Sequence, residues 1–245
     1  MENKVLITGA SVGVGLSLTK FLVNNGFTVI TISRRKDMAK QKIASKNIIS
    51  YGCDLTDLDD LQRLIKDDIL KEHKYIPFLI NNAGSNIKKE FMNISMDEFN
   101  YLYSLNTFAP SLLIQTLLPK MLEKNFGRII NITSGAPLDP NNNSSVFASS
   151  KAALNSITIA VANEYKNHNI KINLMSPGPV KSEMEPDAPF DPSICHETLE
   201  YLLLLDKEGP TGKFFWLGYE IPLHPNLNGI KWLEGKATEK YKRIR

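Results

Sequence analysis

Cysteine is nearly missing from this chain. Cys53 and Cys195 are the only two, and they show neither a CxxC pair nor a metal-ligand spacing. A disulfide framework is therefore excluded, and both read as reduced thiols of a cytoplasmic protein. The four histidines form no ligand pattern, so no metal is expected. Charge of one sign is not in excess. The 29 Lys and Arg against 26 Asp and Glu leave +3, too little and too scattered for a nucleic-acid surface. A long hydrophobic run is lacking too. The apolar run at residues 201–205 falls far below the ~20 residues a membrane helix needs, so no membrane partner is expected. Residues 1–7 lead straight into a strand, so no signal peptide is expected. The Asn-x-Ser/Thr triplets at Asn93, Asn131 and Asn143 carry no weight inside a cytoplasmic protein. No repeat, low-complexity segment or linker divides the chain.

What is there suits a single α/β domain over residues 1–245. Hydrophobic residues make up 42% of the chain, enough for a substantial core. Residues 4–8 are a short apolar run suited to a buried strand. Thr8-Gly9-Ala10-Ser11-Val12-Gly13-Val14-Gly15 follows, then an amphipathic helix over about 16–25 closed by Gly26. A β-branched strand occupies 28–32. In such a unit the glycines let the backbone approach a pyrophosphate at a helix N-terminus. An ordinary β–α turn is the plain alternative, and the flanking strand and helix favour dinucleotide binding.

The end of the second strand chooses between cofactors. An acid there would bond a ribose 2′-hydroxyl, but this chain has Ser33-Arg34-Arg35. A guanidinium suits a 2′-phosphate by charge and forked geometry, so NADP(H) is expected over NAD(H). The alternative is that both arginines merely solvate the next helix, as Lys36, Lys40 and Lys42 are read to do.

The alternation continues. A strand over 48–53 ends at Asp54-Leu55, where Asp54 either accepts from an adenine amino group or leads into a turn. A helix starts near Asp57. A strand over 78–80 runs into Asn81-Asn82-Ala83-Gly84, small and amide residues that can pack on a flat ring and peg neighbouring strands. Ser95 and Glu98 form a capping box for a long helix to about 124, with Pro110 expected to kink it. Asn106 is a polar residue on an apolar face, more often a satisfied core group than a catalytic one. A strand over 127–133 ends at Ser134, a helix carries Phe147 and Lys151, and a strand over 170–175 ends in Ser176-Pro177-Gly178-Pro179-Val180. These elements predict a parallel sheet covered on both faces, with ligands at the carboxyl ends of its strands.

Thr8-Gly9-x-x-x-Gly13-x-Gly15, Asn81-Asn82-Ala83-Gly84, Asn106, Ser134, Lys151 and Asn173-x-x-x-Pro177-Gly178 stand in the order and spacing of the short-chain dehydrogenase/reductase family. The chain resembles that family over about residues 3–217, and residues 209–215 look like the last strand of its carbonyl-reductase-type members. The resemblance implies a Rossmann-type, doubly wound sheet of about seven parallel strands. It also implies hydride transfer between a nicotinamide and an alcohol or ketone carbon of a small-molecule substrate. Carried over, Gly9, Ser11, Gly13, Val14 and Gly15 would cradle the phosphates. Asp54 and Leu55 would flank adenine, and Asn82, with Ala83 and Gly84, would lie on the adenosine ribose side. Lys151 would bond the nicotinamide ribose, and Val180 and Ser182, following Pro177 and Gly178, would meet the carboxamide. Ser134 would orient the substrate oxygen, and Asn106 would hold a water on a proton path from Lys151. Such proteins often assemble through the helices near 95–124 and 147–167, although carbonyl-reductase-type members can be monomeric.

The departure is Phe147. The family has a tyrosine here, which gives its proton to the substrate oxygen. Phenylalanine keeps the ring and loses the acid, at a cost of about 10²–10⁴ in rate. Three readings follow: an NADP(H)-dependent carbonyl reductase or alcohol dehydrogenase in an altered copy, as an engineered inactive variant would be; a natural non-catalytic NADP(H) binder; or an enzyme whose proton comes from Ser134, water or the substrate. Retention of Asn106, Ser134 and Lys151 favours the first. Residues 181–208 are expected to form a substrate lid. The tail over 218–245 carries Trp232 and a basic run over 240–245, and Pro222, Pro225 and Gly229 argue against one continuous helix there.

Overall fold

The computed structural model describes residues 3–223, 230–231 and 236–237. Its sheet is built from β1 (Lys4–Thr8), β2 (Thr28–Ser33), β3 (Ile48–Gly52), β4 (Phe78–Asn81), β5 (Gly127–Ile132), β6 (Ile170–Ser176), β7 (Phe214–Trp216) and β8 (Tyr219–Ile221), in the order 3-2-1-4-5-6-7-8. The first seven strands are parallel and β8 is antiparallel. Chain order reverses between β1 and β4, which opens a crevice at their carboxyl ends.

Successive strand residues feed opposite faces, which is why these strands read as unbroken apolar runs. Leu6, Ile30, Leu79 and Ile129 pack on α3 (Leu58–Arg63) and α6 (Ala109–Glu123) through Leu61, Leu113 and Leu117. Their neighbours Val5, Ile7, Val29, Ile80 and Ile130 pack on α1 (Gly13–Asn24) through Leu18 and Leu22. Gly26, at φ +80°, turns the chain after α1 as expected.

Three sequence expectations change. The last strand does not run over 209–215. It is Phe214–Trp216, and Leu217 and Gly218, at φ +47° and +82°, turn it back into antiparallel β8. Two consecutive positive φ values match the twist of a tight hairpin, and Leu-Gly is not its usual signal. The kink expected at Pro110 is instead a π-helical turn, Ser104–Phe108, between α5 (Met96–Tyr103) and α6. Pro110 stands in the first turn of α6, where its lack of an N–H is tolerated best. The segment expected to be a lid, 181–208, divides in two. Its second half carries α8 (His196–Leu203), whose Leu199, Leu202 and Leu203 belong to the core, while Tyr201 and Leu204 stand exposed.

The capping box at Ser95 and Glu98 is present. α7 (Ser145–Glu164) has the length and apolarity of a membrane span, but half of that window is buried inside the protein. Cys53 and Cys195 are free and buried, and burial pushes both thiols up to about 12. Ile230–Lys231 and Lys236–Ala237 pair as a short antiparallel ladder. Pro225, Gly229, Trp232 and the basic run over 240–245 lie outside the described residues.

Candidate active site

The glycine loop joins β1 to α1 at the mouth of the crevice. Gly9 sits at φ +70°, and a Cβ there would lie 2.9 Å from the backbone of Ala83. A Cβ on Gly15 would lie 2.2 Å from the Gly9 carbonyl oxygen and 2.4 Å from Asn82 Nδ2. Only glycine fits at either position, because the loop is pressed against the end of β4. α1 begins with no side-chain cap on its N-terminal N–H groups and no acidic residue in its first turn. Those donors, with the positive end of the helix dipole, suit an anion.

The Asn81–Gly84 segment holds this geometry together. The Asn82 amide donates to the carbonyls of Thr8 and Gly9 at 2.9 and 3.2 Å, and the Thr8 hydroxyl accepts from the N–H groups of Asn82 and Ala83. In this structure Asn82 pegs the glycine loop to β4. Asn81 bridges to Asn131 at 2.7 Å, and Asn131 to Thr158 at 2.8 Å. This buried amide ladder ties β4 to β5 and α7 behind the site.

At the end of β2, Ser33 is buried and its hydroxyl donates to the Arg35 carbonyl at 3.1 Å. Arg34 and Arg35 stand exposed. Lys42, which the sequence reading set aside as a solvated helix face, donates to the Ser11 carbonyl at 3.0 Å, so it joins the cations around the glycine loop. Its position five residues into α2 (Met38–Ile43) carries no local signal for this. Asp54 accepts from the backbone and hydroxyl of Thr56 at 3.0 and 2.8 Å, and Leu55 is packed in the core. Here the pair builds a turn.

Ser134, Phe147, Lys151 and Asn106 converge from three elements. β5 ends at Ile132, whose carbonyl accepts from Lys151 Nζ at 2.8 Å, and Ser134 follows two residues on. Phe147, on α7 one turn before Lys151, is buried. Its carbonyl accepts from Ser150 Oγ, and Ser150 Oγ accepts in turn from Asn106 Nδ2 at 3.0 Å. Asn106 also exchanges hydrogen bonds with the Ser85 backbone, 3.0 Å each way. Its side chain is therefore satisfied by the chain itself, and it carries the loop after β4. A Cβ on Gly84 would lie 3.2 Å from Asn106 Oδ1 and 3.3 Å from Lys151 Nζ, so both groups stand close against Gly84.

Lys151 is 4% exposed, and its pKa is lowered to about 8 by burial alone. Its amine has three donors and one acceptor of its own chain. The Ser134 hydroxyl accepts from the Ala136 N–H at 3.1 Å, which leaves its proton free to be given. The Phe147 side chain offers no polar atom.

Past β6, Gly178 takes φ +74° after Pro177. Val180 is buried in the core and bridges to Phe190. Ser182 lies against the glycine loop: a Cβ on Gly13 would come within 3.2 Å of its Cβ. Two surface grooves among the described residues, one beside Phe108 and Leu112 and one beside Arg63 and Asp67, hold none of these residues.

Comparison with known proteins gives the family and the fold. The short chain dehydrogenase family matches residues 3–191. The uncharacterized oxidoreductase YvrD of Bacillus subtilis (strain 168) is 31% identical over 188 residues, covering 74% of this chain and 70% of YvrD. Among solved structures, a metagenomic short-chain oxidoreductase in complex with NADP is 25% identical, with a TM-score of 0.78, over 88% of this chain and 97% of that one. A tyrosine-to-phenylalanine variant of ElxO with NADPH bound superposes with a TM-score of 0.81 over 89% of this chain and 97% of that one. At 24% identity that last likeness speaks for the fold alone.

Proposed function

We propose a function from an established premise: the chain belongs to the short chain dehydrogenase family. It is an NADP(H)-dependent oxidoreductase that interconverts a ketone or aldehyde and an alcohol, and the proton donor of that reaction is replaced by Phe147. The nicotinamide, when bound, supplies or accepts the hydride. Everything else is the work of the chain's own residues.

The observation that carries the reading is Lys151. A buried amine with one acceptor of its own chain has two N–H groups left for a ligand, and the ribose hydroxyls of a nicotinamide nucleotide are acceptors of the right kind. The uncapped start of α1 beside the glycine loop supports a pyrophosphate there, cradled by Gly9, Ser11, Gly13, Val14 and Gly15. Arg34 and Arg35, with Ser33 and no acid at the end of β2, support a 2′-phosphate. The metagenomic relative, solved with NADP, is in keeping with that choice. Ser134 orients the substrate oxygen. Asn106 acts through its carbonyl, to which Pro110 offers no N–H, and that carbonyl holds the water end of a proton path from Lys151. Phe147 fills the place of the phenol without giving a proton, so this copy turns over slowly while its cofactor site stays whole.

Titration with NADPH and NADH, followed by nicotinamide fluorescence, tests the reading. Tighter binding of NADPH is expected, and binding of neither nucleotide overturns it. A second reading, turnover without the phenol, draws on the free proton of Ser134 and on the Lys151 amine held near working pH. It expects ketone reduction by the unaltered chain and loss of that activity in Ser134→Ala.

A further inference from the structure

The chain has no acid at the end of β2, yet an acid reaches that place from elsewhere. Glu183 Oε1 lies 3.7 Å from Arg35 Nη1. It is delivered by a strap held at several points. Lys181 N–H donates to the Phe190 carbonyl at 2.8 Å, and Phe190 N–H to the Pro179 carbonyl at 3.3 Å. Ser182 and Glu185 close a tight turn, with Ser182 N–H on the Glu185 carbonyl at 3.2 Å and Glu185 N–H on Ser182 Oγ at 3.1 Å. Glu185 is paired with Lys88 at 2.6 Å, which fastens the turn to the loop after β4. Ser182 rests against Gly13 of the glycine loop. The turn between these anchors presents Glu183 to the guanidinium.

We propose that Glu183 tempers cofactor preference: its carboxylate pairs with Arg35 and competes with the 2′-phosphate of the nucleotide for it. This rests on the NADP(H) reading above. A 2′-phosphate brings a charge near −2 to the place where a carboxylate already stands. It must break the Glu183–Arg35 pair and then endure the repulsion of the displaced acid. A nucleotide with a 2′-hydroxyl brings no charge and leaves the pair intact. Glu183 thus narrows the advantage that Arg34 and Arg35 give to NADP(H). The pair is exposed on both sides, 56% and 65%, so its effect is modest and weakens with salt.

The test is a fluorescence titration of the full chain and of Glu183→Gln with NADPH and with NADH, at low and high salt. The exposed position of Glu183 makes the variant safe for folding. The expected result is NADPH binding about three- to tenfold tighter in E183Q, from one exposed pair plus the relief of repulsion. NADH should change by less than about twofold, and the NADPH gain should shrink when salt shortens the screening length. Glu185→Gln loosens the strap at Lys88 and is expected to move both nucleotides alike. An equal change for both nucleotides in E183Q, or none, overturns the proposal while leaving the NADP(H) reading in place. A loss of NADH affinity alone also overturns it, because Glu183 would then be holding a ribose hydroxyl. Failure of the unaltered chain to bind either nucleotide overturns the NADP(H) reading and this inference with it.

Discussion

Two cations are buried at opposite ends of β5, and they are treated in opposite ways. Arg128, at the strand's start, is 1% exposed. Its guanidinium makes five hydrogen bonds at 2.6–2.9 Å, to Gly127, Asn169 and Leu205, and lies 4.3 Å above the Phe126 ring. Lys151, at the strand's far end, has the Ile132 carbonyl alone. Neither hydrogen-bonds a carboxylate among the described residues. Burial lowers both, Arg128 to about 10 and Lys151 to about 8. The difference lies in what is left over. Arg128 has every donor engaged by its own chain, so it can only brace the fold. Lys151 keeps donors open at the end of the sheet where the crevice lies, and a buried cation with open donors is a place for a ligand.

The sharpest test of this contrast restores the missing group beside Lys151. Phe147→Tyr should raise ketone reduction by about 10²–10⁴, or roughly 3–5 kcal/mol of barrier, in a steady-state assay with NADPH. Little change in urea stability is expected, because the ring is kept and one hydroxyl is added. No gain across a broad ketone screen would count against Lys151 as a catalytic cation.

The bracing end should respond in stability alone. Arg128→Met removes both of its donors from the Leu205 carbonyl and one each from the Gly127 and Asn169 carbonyls, and should cost about 3–5 kcal/mol in urea unfolding. Equal loss of stability in Lys151→Met would erase the distinction. The expectation for Lys151→Met is instead neutral to stabilising at pH 7, with NADPH binding strongly weakened.

The pH dependence separates the two cations further. Lys151 has a folded pKa below its ordinary 10.5, so between about 8 and 10.5 the unfolded chain binds the extra proton. Stability attributable to this residue therefore rises with pH through that window, by roughly 3 kcal/mol at most, and is flat below it. Arg128 follows the same sign from about 10 upward. The two buried thiols, raised to about 12, act with the opposite sign above about 9, so the measurement is a difference: the unfolding free energy of the unaltered chain minus that of Lys151→Met should rise between about pH 7 and 9.5. The smallest effect is expected from Phe126→Leu, which should cost about 1 kcal/mol through the lost cation–π contact and leave NADPH titration unchanged.

Much of this was legible along the chain because it is local. Gly9, Gly13 and Gly15 mark a turn between a strand and a helix, and Ser95 with Glu98 marks a helix start; each depends on neighbours within a few residues. The antiparallel β8 was not legible, since Leu217-Gly218 lacks the usual hairpin chemistry. Nor was α8, whose leucines look like a lid's apolar lining until Leu18 and Leu22 of α1 are found beneath them. Lys42 was passed over because its partner, Ser11, is 31 residues away. Asn82 and Asn106 stood out in the chain as amides at marked places, but their partners, Thr8, Gly9, Ser85 and Ser150, were not legible.

By itself the sequence determined the α/β alternation, the glycine loop, the cationic end of β2 and the absence of a phenol at Phe147. These are properties of short stretches, set by periodicity, backbone freedom and side-chain chemistry. Only the tertiary structure decided which of the two cations at the ends of β5 keeps open donors and which acid stands against Arg35. Those are contacts between segments far apart in the chain, and they exist only once the sheet brings its carboxyl ends together.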